Sequence, residues 1–182
     1  MNKRDEILDV TEALIRERGY NAVSAREVAK ATNIKSSSVH YHFPNKSDMV
    51  SAVVDRYTKN FLDALGAPEQ FSDAGRADVV SHYVTAFRAA LTDKNRVCLC
   101  AILGAETGGL PVEVVDGTRD FFARNIKWLS DAIESTYDQV ESDHKQSTLS
   151  QATHILACLE GAMIVSRTMG DIDYFDRSAN LL

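Results

Sequence analysis

From Ser24 to Lys46 the chain reads SAREVAKATNIKSSSVHYHFPNK, and its second half gathers Ser36, Ser37, Ser38, His40, Tyr41, His42 and Lys46. Hydroxyls and imidazole nitrogens hydrogen-bond to phosphates or base edges, and a lysine ammonium neutralises phosphate. Aimed outward from one helix, such groups suit a surface that reads DNA. A metal reading of His40 and His42 fails on geometry, because positions i and i+2 of a helix do not share a face. A bland alternative is a polar surface helix with no ligand.

The elements that would position these groups are legible from their ends. Ser24 with Glu27 three residues later forms a capping box, and Val23 and Val28 hold the positions of a hydrophobic staple. The helix so started should end near Thr32, with Asn33 at a turn because asparagine tolerates the left-handed conformation. A second short helix follows from Ser36 to Phe43, with Ile34, Val39 and Phe43 inward and Pro44 as its stop. Two such helices joined by a tight turn match a helix-turn-helix. Ahead of them, Ile7, Val10, Thr11, Leu14 and Ile15 have the spacing of a buried helical face, closed by Gly19. Behind them, Asn45 can cap a long helix with a stripe of Val50, Val53, Val54, Tyr57, Phe61 and Leu65.

Helical periodicity continues to the end and no strand-like alternation of useful length occurs. Residues 66–75, with Pro68, form the best internal boundary. Further helices are expected near 75–92, 95–107, 111–140, 148–169 and 172–182, with Pro111 at a first helical position. Val115, Phe122, Ile126, Leu129, Ile133 and Tyr137 mark one inward face. Leu149, Ala152, Ile155, Leu156, Leu159, Met163 and Met169 mark another.

Bulk properties agree with a globular chain. It has 182 residues, 45% hydrophobic and 25% charged, and a net charge of −6. The charge is unevenly spread: residues 1–60 carry ten Lys and Arg against eight Asp and Glu, whereas residues 61–182 carry ten against eighteen. Such asymmetry is a weak pointer to a nucleic-acid module joined to something else. No apolar run approaches the ~20 residues that span a bilayer, and the N-terminus lacks an apolar signal region, so a cytoplasmic protein is expected. Cys98, Cys100 and Cys158 are an odd number and read as small buried hydrophobes. A thiol sensor would require an exposed, low-pKa thiolate.

The segment SAREVA at 24–29 and the run HYHFPNKSDMV at 40–50 resemble the N-terminal DNA-binding domain of the TetR family of transcriptional regulators. The likeness extends from about Arg4 to Leu62. It implies an all-α protein: a three-helix helix-turn-helix DNA-binding domain over 1–46, and a helical ligand-binding and dimerisation domain over 47–182. Carried over by position, Arg26 would reach a base or the backbone, Ser36, Ser37 and His40 would face the groove, and Tyr41 would contact a base edge or methyl and the backbone. Ser38, His42 and Lys46 would bond phosphates, and Ser24 would cap its helix beside another. Three positions depart from the pattern. Lys35 stands where a capping serine is common, which would move the helix start to a cap at Ser36. Ser37 replaces glycine or proline, and His40 replaces tyrosine, which leaves base preference open.

The resemblance further implies a repressor released from a pseudo-palindromic operator by a small molecule. The effector would contact Tyr83, Phe87, Phe122, Ile126, His154 and Cys158. A homodimer would form through the last two helices, where Gly161 and Ala162 sit among apolar residues. No metal or cofactor is implied. Two rivals remain: an all-helical enzyme, for which no nucleophile-and-base pattern is visible, and a helical interaction module whose head does not bind DNA.

Overall fold

The computed structural model describes residues 2–92, 96–137 and 144–182, with side chains of 144–146 left aside. Among the described residues the fold is all-α, with no strand. The helices are α1 (Lys3–Arg18), α2 (Ala25–Ala31), α3 (Ser36–His42), α4 (Lys46–Leu65), α5 (Arg76–Thr92), α6 (Leu99–Ala105), α7 (Val112–Glu134), α8 (His144–Met169) and α9 (Asp173–Ala179). Two compact units form. One joins Met1–Lys59 with Leu99–Phe121, the other Asn60–Cys98 with Phe122–Leu182.

In the first unit the expected ends are observed. Ser24 Oγ accepts from the Glu27 amide at 3.1 Å and Asn45 Oδ1 from the Asp48 amide at 2.8 Å. These bonds satisfy amides that the first turn of a helix leaves unpaired. Asn33 has φ 52°, the left-handed turn expected of it. Lys35, not Ser36, occupies the cap position of α3, without a side-chain bond, and Ser36 is the first helical residue. The Ser38 amide bonds the Lys35 carbonyl at 2.9 Å, so backbone alone closes that turn.

Helix α1 packs on α2 and α6, and α2 on α3. Its buried face holds Ile7, Leu8, Thr11, Ile15 and Arg16, while Val10 and Leu14 are half-buried. Arg16 is enclosed because its guanidinium lies over the Tyr57 ring at 5.8 Å and pairs with Glu12. Arg56 on α4 reaches Asp9 at 2.8 Å and Glu12 at 3.4 Å on α1. On α4, Phe61 is half-buried and the other expected stripe residues are buried, joined by Met49.

The second unit corrects two faces. On α7 the buried stripe runs through Val114, Thr118, Phe121, Asn125, Trp128, Leu129, Ala132 and Ile133, with Val115, Phe122 and Ile126 half-buried beside it. Its first members belong to the other unit. The stripe is disguised because Thr118 and Asn125 are polar yet fully paired: Thr118 Oγ1 donates to the Val114 carbonyl and Asn125 Oδ1 accepts from Tyr83. Pro111 precedes α7 by one residue, offering its carbonyl to the amides of Val114 and Val115. The helix ends at Glu134, so Tyr137 lies past it in a bend. The expected end at 138–140 and the expected start at 95 fall outside the described residues. Helix α6 begins only at Leu99.

On α8, Ala152, Ile155, Leu156, Leu159 and Met163 are buried, but Leu149 and Met169 are exposed, as are Ile164 and Val165. Residues Ser147–Met169 are long and apolar enough, by length and a mean hydropathy of 1.2, to cross a membrane. Gln151, His154, Glu160 and Ser166 interrupt the apolar run, and α8 packs against α9 and α5 in this unit. Arg88 on α5 grips Asp176 on α9 with two bonds of 2.8 and 3.0 Å, which hold that carboxyl below the usual range. Phe175 is fully buried beside it.

Candidate nucleic-acid interface

Helix α3 is anchored from beneath by Val39 and Phe43, both buried, and the Arg4 guanidinium lies over the Phe43 ring at 5.1 Å. Thr32, buried at the end of α2, donates its hydroxyl to the Val28 carbonyl at 2.8 Å. The Ile34 amide bonds the Ala29 carbonyl at 3.0 Å, so the turn between the helices is fixed by backbone bonds. With these anchors inward, the polar face of α3 points out. Arg26, Ser36, Ser37, His40 and Tyr41 are exposed, and Ser24, Ser38, His42 and Lys46 are half-buried. Tyr41 is 85% exposed, far beyond what burial of an aromatic ring favours.

The structure gathers seven of these nine residues into two groups and leaves Arg26 and Ser36 outside both. Ser24, His40 and Lys46 line one shallow cleft between the starts of α2 and α4 and the end of α3. Ser37, Ser38, Tyr41 and His42 line another, together with Lys3 and Ile34. His40 and His42 therefore diverge, as their spacing requires. His40 Nδ1 lies 3.3 Å from the Pro44 carbonyl. A carbonyl only accepts, so Nδ1 carries the proton in that bond and Nε2 is left facing outward. The Tyr41 and His42 rings meet edge to face at 5.3 Å.

Lys46 opens α4, and its ammonium sits 3.7 Å from the centre of the Tyr20 ring. Burial lowers its pKa, and the nearby Glu106 carboxylate opposes that shift. Burial first, then Glu113, raises that of the Tyr20 phenol. The Tyr20 amide donates to Glu106 Oε2 at 2.9 Å. Lys3 and Glu106 were not singled out from the sequence. Lys3 is one of two basic residues opening α1, a signal that was available; Glu106 reaches Tyr20 across 86 positions and no local pattern reveals it.

The effector candidates all lie in the second unit. Tyr83 and Phe87 are fully buried with rings 5.1 Å apart, and Trp128 stacks on Tyr83 at 5.8 Å. Phe61 meets both edge-on. Phe122, Ile126 and Cys158 are half-buried, and His154 is exposed. The sequence reading missed the polar groups of this core. Tyr83 Oη donates to Asn125 Oδ1 at 3.0 Å. Both Glu160 oxygens are enclosed with no hydrogen-bond partner of good geometry among the described residues, and the Cys98 thiol is their neighbour. Burial and Cys98 push the Glu160 carboxyl well above its ordinary range, and burial, Glu160 and Cys98 do the same to Tyr83. A carboxyl beside Cys98 gives no support to a thiolate there.

Residues 7–53 match the family model for bacterial regulatory proteins of the tetR family. Among solved structures, a TetR transcriptional regulator from Legionella pneumophila is 32% identical, with a TM-score of 0.87 over 100% of this chain and 95% of that one. A TetR-family regulator from Agrobacterium tumefaciens is 26% identical, with a TM-score of 0.80 over 98% and 94%. Among curated proteins, the HTH-type transcriptional repressor KstR2 of Rhodococcus jostii is 40% identical over 35% of this chain and 29% of its own length. The biofilm operon regulator IcaR of Staphylococcus epidermidis is 32% identical over 34% of each. The chain thus spans about a third of the length of these curated relatives.

Proposed function

The chain belongs to the TetR family of bacterial transcriptional regulators, and from that membership we propose that it is a DNA-binding repressor released from its operator by a small molecule. The observation that carries this reading is the outward face of α3, where polar side chains and a nearly bare Tyr41 stand on a helix locked by Val39 and Phe43. Repression follows the names of KstR2 and IcaR. Action on chromosomal DNA places the protein in the cytoplasm.

Residues 1–46 form the reading head. Arg26, Ser36, Ser37, His40 and Tyr41 contact base edges in the major groove, and Ser24, Ser38, His42 and Lys46 contact the backbone on either side. Each of the two clefts sets residues assigned to phosphate beside residues assigned to a base, as a surface that spans groove and backbone requires. With Nδ1 directed at the Pro44 carbonyl, His40 offers Nε2 to a base edge.

Residues 47–182 bind effector and partner. The apolar face that α8 leaves uncovered, with Ile164, Val165 and Met169 around Gly161, supports a homodimer through α8 and α9. Two heads then meet half-sites of a pseudo-palindrome at ~34–36 Å or a multiple. The effector site draws on Tyr83, Phe87, Phe122, Ile126, His154 and Cys158. A ligand that prefers the free conformation shifts the population off DNA by its differential affinity.

The test is an anisotropy titration with duplex drawn from the DNA flanking the coding region, against a scrambled duplex, across salt concentrations. Selective binding that weakens steeply with salt supports the regulator. Absent or salt-insensitive binding favours a helical enzyme or an interaction module. Small molecules that release the bound duplex then identify the effector.

A further inference from the structure

Tyr20 connects two residues that are far apart in sequence. Its ring carries the Lys46 ammonium at 3.7 Å, and its backbone amide donates to Glu106 Oε2 at 2.9 Å. Glu106 directly follows α6 and belongs to the same compact unit. The approach is close: Gly19 has φ 81°, and a Cβ added there would come within 2.2 Å of Glu106 Oε1. The carboxylate is therefore seated against the Gly19–Tyr20 turn, where a side chain on residue 19 would displace it.

We propose that Glu106 is a positioning residue for the lysine that grips the DNA backbone. By holding the turn it fixes the ring on which Lys46 rests, and so aims the ammonium at a phosphate. The physical reason is the lysine stem. Four rotatable carbons lose rotamer freedom when the head is fixed on DNA. An ammonium already resting on an aromatic face gives up part of that freedom beforehand, held by a cation–π contact. The Glu106 charge also opposes the burial that lowers the Lys46 pKa. This inference rests on the reading of Lys46 as a phosphate contact.

The experiment measures affinity and salt slope on the flanking-DNA duplex for the full chain and five variants: Lys46→Ala, Glu106→Ala, Glu106→Gln, Tyr20→Leu and Lys46→Ala/Glu106→Ala. Circular dichroism checks that each is folded. Glu106→Ala should weaken binding roughly fivefold and lower the salt slope by about one, as Lys46→Ala does. Glu106→Gln keeps an acceptor for the Tyr20 amide and should restore both. The double variant should bind no more weakly than Lys46→Ala alone. Tyr20→Leu retains the amide bond but removes the ring, and should lower the slope even if Glu106→Ala does not fold. A wild-type slope in folded Glu106→Ala, or in Tyr20→Leu, overturns the proposal; so does a full additional loss in the double variant. If Lys46→Ala itself keeps the wild-type slope, the phosphate reading falls and the inference with it. If only Lys46→Ala lowers the slope, Glu106 alone is removed.

Discussion

The Tyr83 hydroxyl donates to the Asn125 side-chain oxygen at 3.0 Å, and both residues are completely enclosed. Within the second unit, α5 and the part of α7 that belongs to it are thereby joined by a polar bond inside an aromatic core. Tyr83→Phe removes the donor and leaves a buried acceptor unsatisfied, which costs about 1–3 kcal/mol. Urea unfolding should show that loss. Tyr83→Phe/Asn125→Leu, which removes both partners, should recover part of it. A single variant as stable as the parent would mean that the bond contributes nothing.

Glu160 makes stability depend on pH with a definite sign. Its folded-state pKa is raised by burial and by Cys98, so between the unfolded and folded values the native chain holds a proton that the unfolded chain has released. Stability therefore falls as pH rises through that window, by up to ~1.4 kcal/mol per pH unit. Cys98 and Tyr83 are the ionisable groups coupled to it. Glu160→Gln should match the parent near pH 4, exceed it by pH 8 and flatten the profile. Parallel profiles for the two proteins would refute the assignment.

Asn33 bears the turn of the helix-turn-helix at φ 52°. Asn33→Gly relieves any strain and should change stability by under ~1 kcal/mol. Asn33→Val forces a β-branched residue into the left-handed region, at a cost of about 1–3 kcal/mol. It should also weaken DNA binding, because α3 is aligned through this turn. Equal melting temperatures for the two variants would show that the turn tolerates any residue.

What the sequence disclosed follows from the range of each interaction. Ser24, Asn33 and Asn45 act on backbone within three residues of themselves, so their roles could be read locally and all three are seen in the structure. The inward faces were harder. An apolar stripe is found by looking for apolar residues, and Thr118 and Asn125 broke the pattern on α7 because their polar groups are paired inside the core. On α8, Leu149 and Met169 look like core and are exposed, since composition does not distinguish a face covered by its own chain from one left open. The nine proposed DNA contacts were legible as residue types. The grouping of seven of them into two clefts, and the seat of Lys46 on Tyr20, needed the fold.

The uncovered side of α8 offers a test of dimerisation that does not depend on the monomer's stability. Gly161 is exposed, and a Cβ placed there would meet no atom within 4 Å. A larger side chain thus fits the isolated chain. Replacing a helical glycine by arginine should even stabilise the helix, by roughly 0.8 kcal/mol. Ile164 and Val165, each nearly half exposed, stand one turn further along. If this face meets its twin, Gly161→Arg inserts two charged side chains where small residues allow close approach. Sedimentation velocity should then show the dimer dissociating at concentrations at least about tenfold higher, a shift of ~1.4 kcal/mol or more, with circular dichroism unchanged. A variant that dimerises as tightly as the parent would place the interface elsewhere.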